Sequence, residues 1–425
     1  MKNIRKFEMM AEMESAVLEE YSVSYVNEEN KVYTTPENSG QGSVDYSTMY
    51  TTFEALEDGT FSFSKNGTGE DIQYSKDNGT TWTPLASGEK VSIVAGEKVM
   101  WKSTITPVSQ IGIGTFSSTN KFNVCGNIMS LLYGDSFKGI TTFENLPYIF
   151  YGLFKHTDLI DASRLILPLE TLTNSCYEEM FAYCKSLTTT PELPATTLAE
   201  RCYYNMFMDC YELTTTPELP ATTLAYECYC GMFAYCINLT TAPELPATTL
   251  AENCYWGMFY SCESLTTSPK LPATTLANSC YSNMFNCCYE LTTAPELPAT
   301  TLAENCYQGM FMECSELTTA PVLPATTLAE GCYDGMFTNC TSLTTAPKLL
   351  SAILVGYCYR EMFKYCINLN HITMLATDIS ANSCLSNWVN GVSSTGTFVK
   401  YPDMTSLPTG ISGIPEGWTV EDAVL

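Results

Sequence analysis

The sequence predicts a mostly β protein with short helices, in which a solenoid of 26-residue repeats is preceded by a small β-sandwich domain. Three observations lead to this prediction: cysteines that recur every 26 residues, a Met-Phe pair that recurs with them, and short alternating apolar segments before the first repeat. A fixed period of this length is typical of solenoids, whose turns stack on one another. The predicted organisation is an N-terminal segment at 1–38, the sandwich at 39–149, the repeats with degenerate ends at 150–392, and a C-terminal cap at 393–425.

Seventeen of the twenty cysteines fall into two columns. The first column has a step of 26 residues and comprises Cys176, Cys202, Cys228, Cys254, Cys280, Cys306, Cys332, Cys358 and Cys384. The second follows eight residues behind and comprises Cys184, Cys210, Cys236, Cys262, Cys288, Cys314, Cys340 and Cys366. Because one position recurs in every turn of a solenoid, each column is predicted to run through the stack as a line of equivalent side chains.

Each repeat has a period of four followed by a short extended stretch. Cys254, Met258 and Cys262 lie at i, i+4 and i+8, one stripe of a helix, which predicts a short helix or 3₁₀ turn. Leu265–Leu271 is rich in β-branched residues and is followed by Pro272, which predicts an extended rung in which only a few residues can pair. Such rungs stack in parallel at roughly 4.8 Å. The Met and Phe columns are predicted to fill the core, and the Tyr column to be half-buried between turns.

The region before the repeats shows a different pattern, the alternation of β-strands. The segments are Thr60–Ser64, Asp71–Ser75, Thr80–Thr83, Val91–Val94 and Lys98–Lys102. Asn78-Gly79 lies between the second and third segments and is a strong hairpin signal. The fourth and fifth are expected to continue the pairing around Gly96. Strands at this spacing predict a small β-sandwich.

The charge balance excludes several classes of partner. The chain has 46 acidic and 20 basic residues, a formal charge of −26. Nucleic-acid binding needs a basic footprint, and so does docking on an anionic membrane. No apolar run is long enough to predict membrane insertion. The start at Met1–Phe7 is basic but leads into acidic residues instead of the apolar segment of a secretory signal, so we expect the chain to be made in a reducing cytoplasm.

The thiols have two interpretations. Metal ligands or disulfide rungs would make them functional, whereas free buried thiols would act as small hydrophobic side chains. Equivalent cysteines in adjacent turns lie within disulfide range, but their Cβ vectors would be parallel and nine is an odd count. There is no Cys-x-x-Cys pair with a nearby His to suggest zinc. We therefore predict buried free thiols and no metal or other cofactor.

The sequence offers no catalytic constellation. The only histidines, His156 and His371, do not recur with the period and lie beside no nucleophile motif. The periodic Glu192, Glu218 and Glu244 suit a solvated stripe, whereas glycosidase carboxylates need a defined gap and one desolvated member. We predict a protein without enzymatic activity.

The side chains that flank the Met-Phe pair differ from repeat to repeat. Aromatic residues at these varied positions suit carbohydrate or protein contact, and the candidate ligand-binding residues are Tyr204, Tyr211, Trp256, Tyr260 and Tyr289. The alternative is neutral drift on a solvated face. Comparing the repeats with one another does not separate these two explanations.

The unit from Cys254 resembles the bacterial leucine-rich repeats of the BspA-like type. The resemblance is the apolar-Phe pair Met258-Phe259 three residues before Cys262, followed by Leu265, an extended stretch and a proline. It covers about 150–392 and differs in having Met before Phe and Cys four positions earlier. It implies a solenoid that serves as a general recognition scaffold.

A second resemblance lies mainly in the N-terminal segment. Ile4–Phe7, Val23–Val26 and Asn30–Tyr33 are similar to the start of structural proteins from phages of gut Bacteroidales, including the crAss-like group, and Asp71–Ser75 and Gly413–Val420 also fit that setting. The resemblance implies attachment of residues 1–38 to other virion proteins, with the repeats presented to a host surface glycan or protein. The expected location is the virion, after synthesis in the host cytoplasm. A homo-oligomer, such as the trimer common among fibres, is compatible with this role.

Two alternatives stay open. Related repeats occur in chromosomal surface proteins of the same bacteria, so a bacterial cell-surface or secreted leucine-rich-repeat adhesin is the second hypothesis. An intracellular interaction scaffold is the third. Evidence that the chain is exported would favour the second hypothesis. Isolation of a cytosolic binding partner would favour the third.

Overall fold

The chain is mostly β with few helical residues. The computed structural model describes residues 44–108, 111–142, 146–405 and 407–424. The strands are β1 Thr51–Ala55, β2 Gly59–Lys65, β3 Ile72–Ser75, β4 Thr83–Leu85, β5 Lys90–Ile93, β6 Lys98–Lys102, β7 Gly114–Ser118, β8 Phe122–Asn127, β9 Leu159–Ile166, β10 His371–Met374, β11 Thr397–Lys400 and β12 Thr419–Asp422. One four-residue α-helix at Ser130–Tyr133 and two 3₁₀ turns at Tyr46–Thr48 and Gly134–Ser136 complete the elements. The predicted attachment segment at 1–38 lies outside the described residues.

The strands that precede the repeats belong to two sheets. One has the order β4-β3-β6-β1-β8-β9 and the other β5-β2-β7. The predicted hairpin is present, because β3 pairs antiparallel with β4 and Ile72 lies opposite Leu85, although the second strand starts later than expected. Asn78 and Gly79 adopt positive φ angles, 58° and 83°, within the loop 76–82 that joins the two strands. The expectation that β5 and β6 both continue this hairpin is wrong for β5, which pairs with β2 in the other sheet. It is correct for β6, which pairs antiparallel with β3 on one side and with β1 on the other.

Aromatic rings join the two sheets. Phe53 of β1 lies 5.1 Å from Phe61 of β2 and 4.8 Å from Phe116 of β7, measured between ring centroids. All three side chains are buried. The six-stranded sheet continues past residue 150, because β8 pairs in parallel with β9. Because this sheet extends beyond residue 149, it does not by itself define a separate domain, and the predicted small sandwich with its boundary at 149 stays a prediction.

Successive repeats are joined by a ladder of backbone hydrogen bonds, and we call residues 150–392 the repeat stack. Every second N–H in the cysteine-containing segment donates to a carbonyl of the next repeat: Tyr255 to Cys280 at 3.0 Å, and Gly257 to Ser282 at 2.9 Å. The intervening N–H groups close turns within the repeat, as Met258 does with the Tyr255 carbonyl at 3.2 Å. Adjacent repeats therefore lie directly on one another.

The segment predicted as a short helix or 3₁₀ turn is a series of tight turns and not a helix. Asn253, Gly257 and Ser261 all adopt positive φ, at 54°, 55° and 55°. A left-handed residue at every fourth position prevents the helical bonds from continuing, so each N–H that stays within the repeat bonds only three residues back. The extended rungs pair through single parallel bridges, such as Thr241 with Thr267, because their prolines carry no N–H.

The interior of the repeat stack consists of columns of identical side chains. Phe233 and Phe259 stack with ring centroids 5.8 Å apart and planes 4° apart. Tyr229 and Tyr255 stack at 5.7 Å and 7°. The predicted burial of the Met and Phe columns is confirmed, but the Tyr column is fully buried where half-burial was expected.

The C-terminal end of the repeat stack meets a parallel sheet of order β10-β11-β12. The buried Trp388 ring lies 6.1 Å from Phe363 of the last regular repeat and 6.2 Å from Phe398 of β11. Its indole N–H donates to the Gly413 carbonyl at 2.9 Å. Aromatic packing thus covers the open end of the Phe column. In the part of the chain that the structure describes, no helix has the length and apolarity needed to cross a bilayer.

Candidate recognition surface

The cysteine-containing turn segments of successive repeats form one outer surface of the repeat stack, which we call the turn face. The Cys, Tyr, Met and Phe residues of each turn segment are buried, and the turn face is formed by those residues between them that are exposed or half-buried, such as Trp256 and Tyr204. All five candidate ligand-binding residues lie on this face or at its edge. Trp256 and Tyr289 are exposed, at 41% and 37% of their surface, whereas Tyr204, Tyr211 and Tyr260 are half-buried.

Tyr204 is occupied by a charged cluster within the protein. The Arg201 guanidinium lies 3.9 Å from the centre of its ring. Arg201 also pairs with Glu178 at 2.7 Å in the preceding repeat and with Glu227 at 2.8 Å in the following one. Burial raises the pKa of the Tyr204 hydroxyl. Tyr204 thus has a packing role that the sequence did not indicate.

Tyr211 also has internal partners. Its hydroxyl donates to the Asp209 carboxylate at 3.0 Å, and this hydrogen bond raises the pKa of Tyr211. The Lys185 ammonium of the preceding repeat lies 4.9 Å from its ring centre. Because a cation already covers one face of the ring, the other face and the edge are left for a ligand.

Tyr260 and Tyr289 lie close together around Cys287, and we call them, with Tyr235, the tyrosine cluster. The ring centroids of Tyr235 and Tyr260 are 5.3 Å apart. Hydrogen bonding to Cys287 raises the pKa of Tyr289 to about 12, and burial raises that of Tyr260. The sequence analysis did not select Tyr235 or Cys287. Both occupy the repeat position directly after that of Tyr260, in the repeats before and after it, so a comparison of adjacent repeats that includes neighbouring positions would have found them.

Trp256 is the most exposed of the five candidates. Its repeat position is that of Tyr204 two repeats earlier, but no arginine corresponds to Arg201 beside it, since Asn253 stands there. Its carbonyl accepts the Gly231 N–H at 2.8 Å, which fixes the backbone that carries the ring. An exposed indole on a fixed backbone suits contact with a ligand, because little conformational freedom is lost on binding.

A cavity of about 330 Å³ opens on the turn face in the later repeats, and we call it the glycine hollow. Its lining includes Asn283, Gln308, Gly309, Met312, Gly335 and Arg360. A larger depression of about 390 Å³ lies on the rung side and is lined by residues such as Pro217, Pro220, Glu244 and Pro246. The glycine hollow is the more polar of the two, and the sequence analysis did not predict it.

The thiols belong to the interior. All twenty are unpaired, and every one except Cys287 is buried. The second-column thiols donate to the carbonyl of the Phe in the preceding repeat, as Cys262 does to Phe233 at 3.2 Å. Burial raises the pKa of Cys184 to about 12, which keeps the thiol protonated. The predicted buried-thiol role is confirmed, with a hydrogen-bonding function that the sequence did not show. Among the described residues, no three His, Cys, Asp or Glu side chains are grouped to hold a metal ion.

A solved structure similar to this chain is that of a leucine-rich repeat protein from Bacteroides ovatus. The two share 17% identity with a TM-score of 0.32, and the alignment covers 74% of this chain and 88% of that one. No protein-family model and no curated protein matches the chain. The functional argument therefore depends on the residues of this chain.

Proposed function

We propose that this chain is a non-enzymatic recognition protein, a BspA-like leucine-rich-repeat solenoid that presents its turn face to a host surface glycan or protein. The observation that supports this most directly is the contrast between a uniform interior and a varied exterior. The Tyr and Phe columns repeat without change, while the outer positions carry Trp256, Tyr260 and Tyr289. Exposed aromatic side chains on a rigid scaffold are typical of binding surfaces.

We further propose that the chain is part of a phage particle, as a fibre, decoration or adhesin-like appendage. The support is the resemblance of Ile4–Phe7, Val23–Val26 and Asn30–Tyr33 to phage structural proteins. In this role residues 1–38 attach to other virion proteins, and the repeats face the host. The alternative, a bacterial surface or secreted adhesin, uses the same turn face.

Mass spectrometry of purified particles tests the virion role. We expect peptides from the repeats in particles banded on a density gradient, in proportion to known structural proteins. Their absence from particles, together with antibody labelling of intact bacterial cells, would favour the bacterial adhesin instead.

A double substitution tests the recognition role. Trp256→Ala with Tyr289→Ala removes two exposed rings, and we expect at least tenfold weaker binding of the full chain to Bacteroidales cells. Val322→Ala is the matched control, because Val322 is 77% exposed but lies on the rung side. Equal loss of binding in both variants would contradict a role for the turn face.

A further inference from the structure

Two glycines with positive φ line the glycine hollow. The third residue after the first-column cysteine adopts positive φ in every regular repeat, and Gly309 and Gly335 fill this position at 59° and 62°. The same position carries Asn283 in the repeat before and Glu361 in the repeat after. Two consecutive repeats therefore lack a side chain where their neighbours have one. The backbone of these two glycines contributes to the lining of a cavity of about 330 Å³, which Asn283 and Glu361 also line.

One wall of the hollow is a fixed polar network. Asp334 is buried and accepts hydrogen bonds from Nε and Nη2 of Arg360, the former at 2.9 Å. The side-chain amide nitrogen of Gln308 donates a hydrogen bond to Oδ2 of the Asp334 carboxylate at 3.2 Å. The three residues occupy one repeat position in consecutive repeats, so they stack along the wall. A bidentate guanidinium–carboxylate pair holds its planar groups in a defined orientation.

This network leaves groups that can bind a ligand. Arg360 has five N–H donors and uses two of them on Asp334, and its side chain is 41% exposed. The amide oxygen of Gln308, which also lines the hollow, is an acceptor. Met312 contributes a flexible apolar side chain to the lining. Donors, acceptors and one apolar contact therefore meet in a single cavity.

The charged groups of the hollow are paired. Asp334 is paired with Arg360, and Glu361 is paired with Lys364, which lies outside the lining, at 3.0 Å. The hollow therefore offers no unpaired charged side chain to an ionic ligand. Hydroxyl groups both donate and accept, so they match a mixture of guanidinium N–H groups and an amide oxygen. The volume lies at the small end of the range for ligand sites, which suits a single ring.

We propose that the glycine hollow binds one ring of a neutral, polyhydroxylated ligand, namely an uncharged sugar residue of a host glycan. The network of Gln308, Asp334 and Arg360 hydrogen-bonds the ring hydroxyls, and Met312 packs against its C–H face. This inference names the ligand class of the recognition surface and rests on the recognition role proposed above. It adds a subsite separate from the aromatic residues of the earlier repeats.

Gly335→Asn is a variant that fills the hollow with a residue that accepts this backbone conformation. Asn tolerates positive φ and already stands at this repeat position in Asn205 and Asn283, which are followed in the next repeat by a glycine, whereas Gly335 is followed by Glu361. A Cβ at Gly335 would meet only side-chain atoms, the Met312 methyl at 3.2 Å and the Thr338 hydroxyl at 3.6 Å. Gly309 is unsuitable, because a Cβ there would lie 2.4 Å from the Asn283 amide oxygen.

Gly257→Asn is the matched control. Gly257 has the same repeat position and a φ of 55°, and a Cβ there would meet only the Cβ of Tyr260 at 3.6 Å. It lies outside the hollow, so it should carry the same backbone change with no effect on the proposed subsite. Gln308→Ala is a second test variant that keeps both glycines and removes the amide.

The experiment measures binding of the full chain to an array of neutral, sialylated and sulfated glycans, in parallel with binding to Bacteroidales cells. We expect neutral glycans among the bound set and a loss of at least tenfold for Gly335→Asn and Gln308→Ala that exceeds any loss for Gly257→Asn, whose added side chain lies next to Trp256 and Tyr260. Retention of glycan and cell binding by both test variants would overturn the subsite and leave the recognition role standing. Binding confined to charged glycans would also overturn it. Failure of the unaltered chain to bind any cell or glycan would instead refute the recognition role.

Discussion

At the scale of single residues, glycine and asparagine are coupled between neighbouring repeats. Asn205 and Gly231 occupy equivalent positions in consecutive repeats, and a Cβ on Gly231 would lie 2.1 Å from the Asn205 amide oxygen. Asn283 and Gly309 repeat this arrangement at 2.4 Å. Each Asn side chain therefore lies over the next repeat's glycine. The glycine is required for space as well as for its positive φ.

Gly231→Ala and Gly257→Ala should destabilise the protein to different extents. Both place Ala in the left-handed region, at a cost of roughly 1–2 kcal/mol. Gly231→Ala also forces Asn205 to move, whereas a Cβ at Gly257 would have no neighbouring atom closer than 3.6 Å. We expect Gly231→Ala to lower the melting temperature more, by circular dichroism. Adding Asn205→Gly should remove the excess. An equal effect of the two single substitutions would contradict the close packing of Asn205.

The hydroxyl of Tyr229 contributes little to stability. It is buried, and no described residue accepts or donates a hydrogen bond to it. Because an unpaired buried polar group is costly, Tyr229→Phe should leave the free energy of unfolding unchanged within about 0.5 kcal/mol or raise it. The control is Tyr50→Phe, which removes a hydroxyl that donates to Asp135 at 2.7 Å and should cost about 1 kcal/mol. Denaturant unfolding of both variants provides the measurement, and a clear loss for Tyr229→Phe would indicate a hydrogen bond to a buried water.

At the scale of the structural elements, the sequence predicts the period and the interior columns but not the backbone of the turns. Cys254, Met258 and Cys262 are spaced by four, which suits a helix, but a left-handed residue at every fourth position produces the same spacing. The left-handed positions carry residues as different as Arg201, Glu227 and Tyr357. Since these residues usually avoid positive φ, propensity favours the helix. The hydrogen bonds to adjacent repeats override that preference.

The candidate site is less predictable than the fold, because its neighbours come from different repeats. Exposed aromatic residues can be selected from their varied positions, as Trp256 and Tyr289 show. The cluster that covers Tyr204 contains Arg201 and Glu227, and the second of these belongs to the next repeat. The lining of the glycine hollow comes from four consecutive repeats, which no motif within one repeat records. Aligning the repeats of one chain on each other is the step that would reveal these contacts.

The cysteine columns should make the protein sensitive to alkali. Burial raises the pKa of Cys176 and Cys306 to about 12, whereas an unfolded thiol titrates near pH 8.5. Between these values the unfolded chain binds fewer protons than the folded one, so stability falls as the pH rises. The thiol contribution is fully present below about pH 8.5 and declines by roughly 1.4 kcal/mol per pH unit for each such thiol. We expect the melting temperature to be level near pH 7 and to fall steeply from pH 9 to 10.5.

Tyrosine absorbance provides the control for this titration. Burial holds the pKa of Tyr203 and Tyr255 well above the usual value, so these rings should ionise only when the chain unfolds. The rise in tyrosinate absorbance of the column should coincide with the loss of circular dichroism. A level melting temperature up to pH 10.5 would contradict the burial of the thiols.

At the scale of the whole molecule, one repeat should be removable because each repeat contacts its neighbours in the same way. Deleting residues 254–279 joins Asn253 to Cys280 and removes one full period. The Tyr229 N–H, which donates to Cys254 at 3.0 Å, would then meet the equivalent carbonyl of Cys280. The Tyr229 ring would then stack on Tyr281 in place of Tyr255, at the same spacing of 5.7 Å between ring centroids. In a stack of nearest-neighbour contacts, stability falls by about one repeat's share and cooperative unfolding is retained.

Deleting residues 254–266 is the matched control, since it removes half a period. Every later repeat would then be shifted by half a repeat relative to the earlier ones, so rung residues such as Thr267 would face buried positions such as Cys228. Buried threonine hydroxyls and lost ladder bonds would destabilise the junction. We expect the full-period deletion to give a monodisperse protein with a cooperative thermal transition, and the half-period deletion to give an aggregated or partly unfolded one. If both deletions behaved alike, the stacking of equivalent positions would not be what holds the repeats together, and the turn face built on it would lose its basis.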